Sequence, residues 1–216
     1  ADGVGDFDVT RASTATRVNE NGLIETMGVN VPLIDYSDGG CPSLLTQPQS
    51  TNYTENSELT NTWTYTEFGS GSAGTITTGK TDMFGGTNAV QIDFPSNAEN
   101  AGVFFGSTSS SLASGNCSIS IYVKLVESGS KDLQLRASVG LKDVVNVNST
   151  EFTRVDLSGT KSTIEAFNLK LRPSEGTSSG GFSIIVCHPQ EEEQSYPTSY
   201  IKTEGTTVTR NADVVG

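Results

Sequence analysis

The chain has 216 residues and a formal net charge of −12, with 13 Lys and Arg against 25 Asp and Glu. That balance excludes a nucleic-acid binder, which needs clustered cations to meet phosphates, and it argues against docking on an anionic membrane. No apolar run approaches the ~20 residues of a spanning helix. Hydrophobic residues make up only 34% while glycine alone counts 23, the profile of short strands joined by many turns.

Residues 8–57 carry no long periodic pattern. Breakers at Asn21-Gly22, Val31-Pro32, Asp38-Gly39-Gly40 and Cys41-Pro42 cut them into short extended pieces. A segment without an apolar face of its own must lie against other structure to be ordered. From Trp63 the period becomes two. Residues 63–68 set Trp63 and Tyr65 on one face, and 87–94 group Val90, Ile92 and Phe94 opposite Gln91 and Asp93 before Pro95 stops the strand. Residues 117–125 alternate Cys117, Ile119, Ile121, Val123 and Leu125 with Ser118, Ser120, Tyr122 and Lys124. Residues 132–139 do the same, with Leu133, Leu135, Ala137 and Val139 against Asp132, Gln134, Arg136 and Ser138.

Further strands are expected over 152–157, 164–172 and 181–188, joined by hairpin-length connections. About eight short strands and no helical pattern predict an all-β, antiparallel two-sheet β-sandwich. Its inward set is Ile119, Ile121, Val123, Leu133, Leu135, Leu169, Leu171, Ile184 and Val186. The patterning fits jelly-roll and immunoglobulin-like topologies equally. The sandwich is placed at 59–190. Irregular extended segments, 1–58 and 191–216, flank it and pack on the body or on a neighbouring subunit.

No catalytic constellation emerges. The one histidine, His188, is expected to end a strand with a structural hydrogen bond, and with Cys187 it supplies too few ligands for a metal. No nucleophile motif surrounds any serine, and Glu191-Glu192-Glu193 reads as a solvated charge run. Neither an enzyme activity nor a metal or cofactor is therefore expected. Cys41, Cys117 and Cys187 cannot all pair; Cys117 and Cys187 read as small buried hydrophobes rather than a disulfide, and the odd count suits assembly in a reducing cytoplasm. Sugar recognition wants aromatic platforms beside hydroxyl-bonding groups. The candidates are Tyr122, Lys124, Gln134 and Arg136 on polar strand faces, with Trp63 and Tyr65 at the domain entry. Tyr122 would stack on a ring, and the other three strand residues would contact hydroxyls or an acidic sugar. Trp63, the only Trp, is more often a core residue of a sandwich than a platform, whereas for Tyr122 the two readings are about even.

Four runs resemble the opening of phage fibre-type proteins: Thr10 to Thr16 (TRASTAT), Asn21 to Ile24 (NGLI), Val31 to Tyr36 (VPLIDY) and Cys41 to Leu45 (CPSLL). Thr51 to Glu58 (TNYTENSE) resembles the stretch leading into their body. The closing segment is similar as well, in Gln190 to Glu193, Thr198 to Thr203 and Thr209 to Val215. The resemblance implies a carbohydrate-binding-module-like jelly roll on a virion surface, in a head or tail fibre, assembled in the host bacterial cytoplasm. It implies a homotrimer, other virion proteins and a host surface glycan as partners, with no membrane insertion. In some members it implies a structural calcium, for which Glu58 or Asp93 would supply oxygens. A purely structural decoration or attachment protein is the alternative, and a glycan-active enzyme the least supported one. The echo of Thr10-Arg11-Ala12-Ser13 in Thr209-Arg210-Asn211-Ala212 would place the two ends side by side. Ala1 stands where a Met is expected, so a processed chain or a piece of a longer one is anticipated.

Overall fold

The computed structural model describes residues 8–39, 41–58, 64–67, 74–96, 101–105, 115–137, 142–161, 169–173 and 181–216, with the backbone alone at 64–67, 101–105, 161, 169, 170 and 172. Every element among them is a β-strand. The terminal strands are β1 (Val9–Thr10), β2 (Ala15–Val18), β3 (Ile24–Met27), β4 (Leu33–Asp35), β5 (Ser43–Leu45) and β6 (Ser50–Asn52), with β17 (Val208–Arg210) and β18 (Val214–Val215) at the other end. The body holds β7 (Thr64–Glu67), β8 (Thr75–Lys80), β9 (Ala89–Phe94), β10 (Ala101–Phe105) and β11 (Gly115–Leu125). It continues with β12 (Ser130–Ala137), β13 (Lys142–Asn148), β14 (Thr153–Lys161), β15 (Leu169–Pro173) and β16 (Phe182–Glu192).

Two five-stranded antiparallel sheets form the body, in the orders β13-β12-β15-β10-β7 and β14-β11-β16-β9-β8. Chain order settles the topology that patterning left open. From β9 onward, among the described strands, the chain crosses between the sheets at every step except β12 to β13. The orders β9-β16-β11-β14 and β10-β15-β12-β13 are those of a jelly roll.

The period-two pattern works as expected on the inner faces. Ile119, Ile121, Val123, Leu133, Leu135, Leu171, Ile184 and Val186 are fully buried in one cluster between the sheets. The side chain of Leu169 lies outside the described residues. Strands β8, β10 and β13 were not anticipated. In β13 consecutive Val144 and Val145 blur the alternation: Val145 packs on the core while Val144 is exposed on the outer face opposite Gln134.

The terminal segments are short ribbons. Strands β2 and β3 form a hairpin, as do β4 and β5, while β1 pairs with β18 and β6 with β17. The two ends therefore do lie together. In the β2–β3 connection Asn19 Oδ1 accepts the Asn21 and Leu23 N–H groups, and Gly22 takes a φ of 74° that favours glycine.

These ribbons cover the outer face of the second sheet. Ile24 of β3 and Tyr200 join Met83, Ala89, Tyr122 and Cys187 in a second buried cluster, flanked by Phe84, Phe152 and Ile185. The polar face of β11 reads from the sequence as a binding face or a solvated one; in the structure Ser118 and Ser120 are buried and Tyr122 keeps only 6% of its surface. The cover comes from chain ends remote in sequence, Ile24 from one and Tyr200 from the other.

Candidate functional site

A buried ion cluster ties the ends down. Arg11 Nη1 donates to Asp213 Oδ1 at 2.7 Å, and Arg210 Nη1 stands 3.5 Å from Asp213 Oδ2. Arg11 also donates to the carbonyls of Ser13, Gly28 and Val31, and Arg210 to those of Pro48 and Asn211. Both arginines are 1% exposed. Guanidinium groups suit this task because their fork satisfies several carbonyls while pairing one carboxylate. The repeated Thr-Arg pair at the two ends thus has a structural role. The acidic run at 191–193 needs correction too. Glu191 and Glu192 are buried, and Glu192 accepts from Ser50 Oγ, Gln190 Nε2 and both the N–H and Oγ1 of Thr198.

Held this way, the ribbons leave a cleft of about 1070 Å³ between themselves and the outer faces of β11 and β14. Its floor is Tyr122 and Lys124 of β11 with Arg154 of the facing β14 and Phe152 just before that strand. Tyr122 pairs directly across from Arg154, and Lys124 and Phe152 follow one step along the same face. The Arg154 guanidinium lies 5.5 Å from the Tyr122 ring centre, and Lys124 Nζ lies 6.0 Å from that of Phe152. The walls include Arg17, Asp35 and Tyr36 from the hairpins, Asp82 and Met83 from the 81–88 turn, and Gln47 with Pro197 to Tyr200. Tyr36 and Phe152 are half-buried, with one side open to the cleft, and Leu23 is exposed at its edge. Aromatic faces beside hydrogen-bonding groups in a concave site are what a polar ring-shaped ligand requires.

Two of the wall carboxylates are already engaged. Asp35 accepts the Val18 N–H, the Ser37 N–H and the Ser37 hydroxyl. Asp82 accepts the N–H groups of Phe84, Gly86 and Asn88. Burial pushes the Tyr122 hydroxyl above its ordinary range, although the Arg154 charge opposes the shift, so Tyr122 is neutral at physiological pH.

Behind the cleft wall sits His188. It does not end a strand but occupies a bulge within β16, where β11 advances from Ser120 to Tyr122 while β16 steps from Gln190 to Cys187. The bulge tolerates Pro189 and sets His188 at a φ of 52°, in the left-handed region. The ring is enclosed by Phe84 at 5.1 Å and Tyr200 at 4.7 Å. Its Nδ1 lies 3.2 Å from Glu58 Oε1, without the alignment of a hydrogen bond. Burial alone would push the Glu58 carboxyl up; the His188 contact, the Tyr200 hydroxyl and the Asn88 amide outweigh it and hold the group at about 2. A carboxylate lowered in the folded state stabilises the fold above its unfolded pKa of 4.5, and that contribution is lost as pH falls from 4.5 toward 2. Subtracting the urea stability of Glu58→Gln from that of the wild type across this window should reveal a loss of roughly 2–3 kcal/mol. A flat difference would show that Glu58 is not held this way.

The candidate residues do not converge on one face. Strands β11 and β12 belong to different sheets, so Tyr122 and Lys124 point away from one side of the sandwich and Gln134 and Arg136 from the other. Tyr122 and Gln134 are buried, Lys124 is half-buried, and Arg136 is exposed. Trp63 lies outside the described residues, and of Tyr65 only the backbone in β7 is described. Sequence reasoning missed Tyr36, Phe152 and Arg154. The pairing of Arg154 with Tyr122 was the one accessible signal, had the two strands been known to be neighbours.

Glu58 and Asp93 do not fit a shared calcium. Glu58 is committed to Tyr200, Asn88 and His188, and Asp93 to Thr75 and Gln91. Among the described residues no three His, Cys, Asp or Glu side chains gather as a metal site. None of the three cysteines is in a disulfide. Cys117 lies between the sheets and Cys187 in the outer cluster, on opposite faces of one sheet, and burial pushes the Cys187 thiol well up.

No family model matches the chain, and no curated protein matches it. Among solved structures, the CBM22-1 xylan-binding domain from Paenibacillus barcinonensis Xyn10C is 16% identical, covering 72% of this chain and 94% of that one, with a TM-score of 0.45. The CBM22-1–GH10 modules of Clostridium thermocellum endo-1,4-β-D-xylanase 10B, solved with xylohexaose, are 12% identical over 66% of this chain, with a TM-score of 0.44; the chain spans 27% of that protein. The enzymatically active domain of bacteriophage CBA120 tailspike protein 4 is 17% identical over 65% of this chain and 21% of its own, with a TM-score of 0.40. The neighbours thus include carbohydrate-binding modules, but it is the strand order that establishes the fold as an antiparallel jelly-roll sandwich.

Proposed function

We propose that this protein is a non-catalytic glycan-binding module of a virion surface fibre, and that the glycan enters the cleft over the second sheet. The observation that carries the reading is the cleft itself: the half-buried rings of Tyr36 and Phe152 stand beside Lys124, Arg154 and Gln47 in one concave site floored by Tyr122. A non-catalytic role is supported by the engagement of Asp35 and Asp82 with backbone N–H groups and by the enclosure of His188, which leave these three groups poorly placed for proton transfer to a ligand. Each site would bind weakly and an oligomer would multiply the contacts.

The test is retention on a broad glycan array. The wild-type chain should bind at least one glycan class, and Tyr36→Ala should weaken it about tenfold, the equivalent of ~1.4 kcal/mol lost with one aromatic platform. Arg136→Ala, on the opposite outer face, should leave binding unchanged. Loss of binding in Arg136→Ala alone would move the site to the first sheet, and no binding to any glycan would end the reading.

Self-association is the companion proposal, with a homotrimer expected. The ends bury Leu33, Tyr200 and Ile201 against their own chain, but Val29, Val31, Val208, Val214 and Val215 remain exposed. Exposed apolar groups on the outermost ribbons are what a partner subunit would cover. Light scattering should give three times the chain mass at micromolar concentration; a monomer mass would refute the assembly.

A further inference from the structure

Charge within the cleft is divided unevenly. Of its three cations, Arg17 is spent: it pairs with Glu25 at 2.5 Å and donates to the Ile34 carbonyl. Lys124 and Arg154 are not. Among the described residues neither forms an ion pair with a carboxylate, in a chain whose net charge is −12. Arg154 donates Nη2 to Ser120 Oγ at 2.8 Å, while its Nε is buried without an acceptor. Both cations instead sit over rings, Arg154 on Tyr122 and Lys124 on Phe152.

The register makes them diagonal neighbours on one face, Tyr122 facing Arg154 and Lys124 lying one step on. Diagonal positions on adjacent strands are about 7–8 Å apart, a span that one oxyanion can bridge with a contact to each side. The remaining acids of the cleft do not fill this place. Asp35 and Asp82 are satisfied by N–H groups, and Glu20, Asp38 and Glu151 are solvent-exposed, where water and salt weaken their field.

We propose that the ligand of this cleft is an acidic saccharide, its carboxylate or sulfate group held between Lys124 and Arg154 while the sugar ring lies against Tyr36 or Phe152. The proposal rests on the glycan reading of the same cleft and narrows it. Guanidinium and ammonium groups held over aromatic rings are partly desolvated, which strengthens their attraction for an anion relative to exposed lysines.

Titration calorimetry on the full chain would use polygalacturonate, the same polymer after carboxyl reduction, a sulfated galactan and a neutral xylan. The expected result is binding of polygalacturonate, at least about tenfold weaker binding after reduction, and attenuation by salt. Lys124→Gln should weaken uronate binding about tenfold and Lys124→Arg should restore it, with both melting like the wild type. If Lys124→Gln fails to fold, the comparison of native with carboxyl-reduced polymer decides alone. Binding of the sulfated galactan with none to the uronate supports the oxyanion site and assigns it to sulfate esters. Equal binding of the native and reduced polymers, or of xylan, overturns the acidic ligand while the glycan reading stands. No binding to any of the four, nor to the glycan array, overturns both.

Discussion

Replacing Asp213 with Ala should lower the stability of the terminal layer by about 3–5 kcal/mol, the range for stranding a buried charge by removing its partner. Among the described residues Asp213 is the one carboxylate that pairs with both Arg11 and Arg210, and all three side chains are at most 1% exposed. The substitution leaves two enclosed guanidinium groups without their ion-pair partner, and it removes the acceptor for the Gln47 N–H as well. The cost should fall first on β1, β17 and β18, because the sandwich has its own core. Hydrogen exchange is the direct measurement: protection should drop in the terminal strands while β11 and β12 keep theirs. Asp213→Asn, which keeps the shape and an acceptor, should cost less than Asp213→Ala. A loss below about 1 kcal/mol for Asp213→Ala would mean that the ribbons are held by the apolar cluster around Tyr200 and not by the ions. If the ribbons loosen, the cleft goes with them, so glycan binding should fall in parallel.

Ile121→Ala should cost about 2–5 kcal/mol, and here the whole body should respond. Ile121 has no exposed surface and sits in β11, which is paired on both sides by β14 and β16. Removing its branches deletes contacts in the middle of the inter-sheet cluster and leaves a cavity that two flanking strands prevent from closing. Ile121→Val should cost only about 0.5–1.5 kcal/mol. Val144→Ala, on an outward and 47% exposed side chain, should stay within about 0.5 kcal/mol as a control. Urea unfolding followed by far-UV circular dichroism measures all three. An Ile121→Ala loss no larger than that of Val144→Ala would place the inner face on the wrong side of β11.

The contrast between Ile121 and its neighbour Tyr122 shows where sequence reading stops. Period-two alternation puts Ile121 with Ile119 and Val123 whatever the strand packs against, so the inner face was legible from residues alone. The same alternation put Tyr122 with Ser120 and Lys124, which was also right, but it left open whether that face is a binding face or a plain solvated one. Whether a polar strand face is wet depends on what else docks there. The covering residues, Ile24 and Tyr200, come from opposite ends of the chain. The run at 191–193 failed for the same reason: three successive acids look solvated, yet Glu192 is enclosed by Ser50 and Thr198 from those same ends.

The site was less legible than the fold. Lys124 was named and does line the cleft, and Tyr122 forms its floor, but Gln134 and Arg136 belong to the opposite face because β12 follows β11 into the other sheet. Tyr36, Phe152 and Arg154 became neighbours only through the pairing of β11 with β14 and the folding back of the first hairpins.

By itself the sequence determined an all-β body, its turn-cut ends, its inner apolar face and the pair of arginine motifs at the two termini. Side-chain alternation, breakers and composition act within a few residues, so they can be read along the chain. The tertiary structure alone decided the jelly-roll order, the burial of the outer face of the second sheet and the existence of a cleft. Each of these depends on contacts between residues far apart in sequence, and the ion pairs and buried area that stabilise them exist only after the chain ends have met.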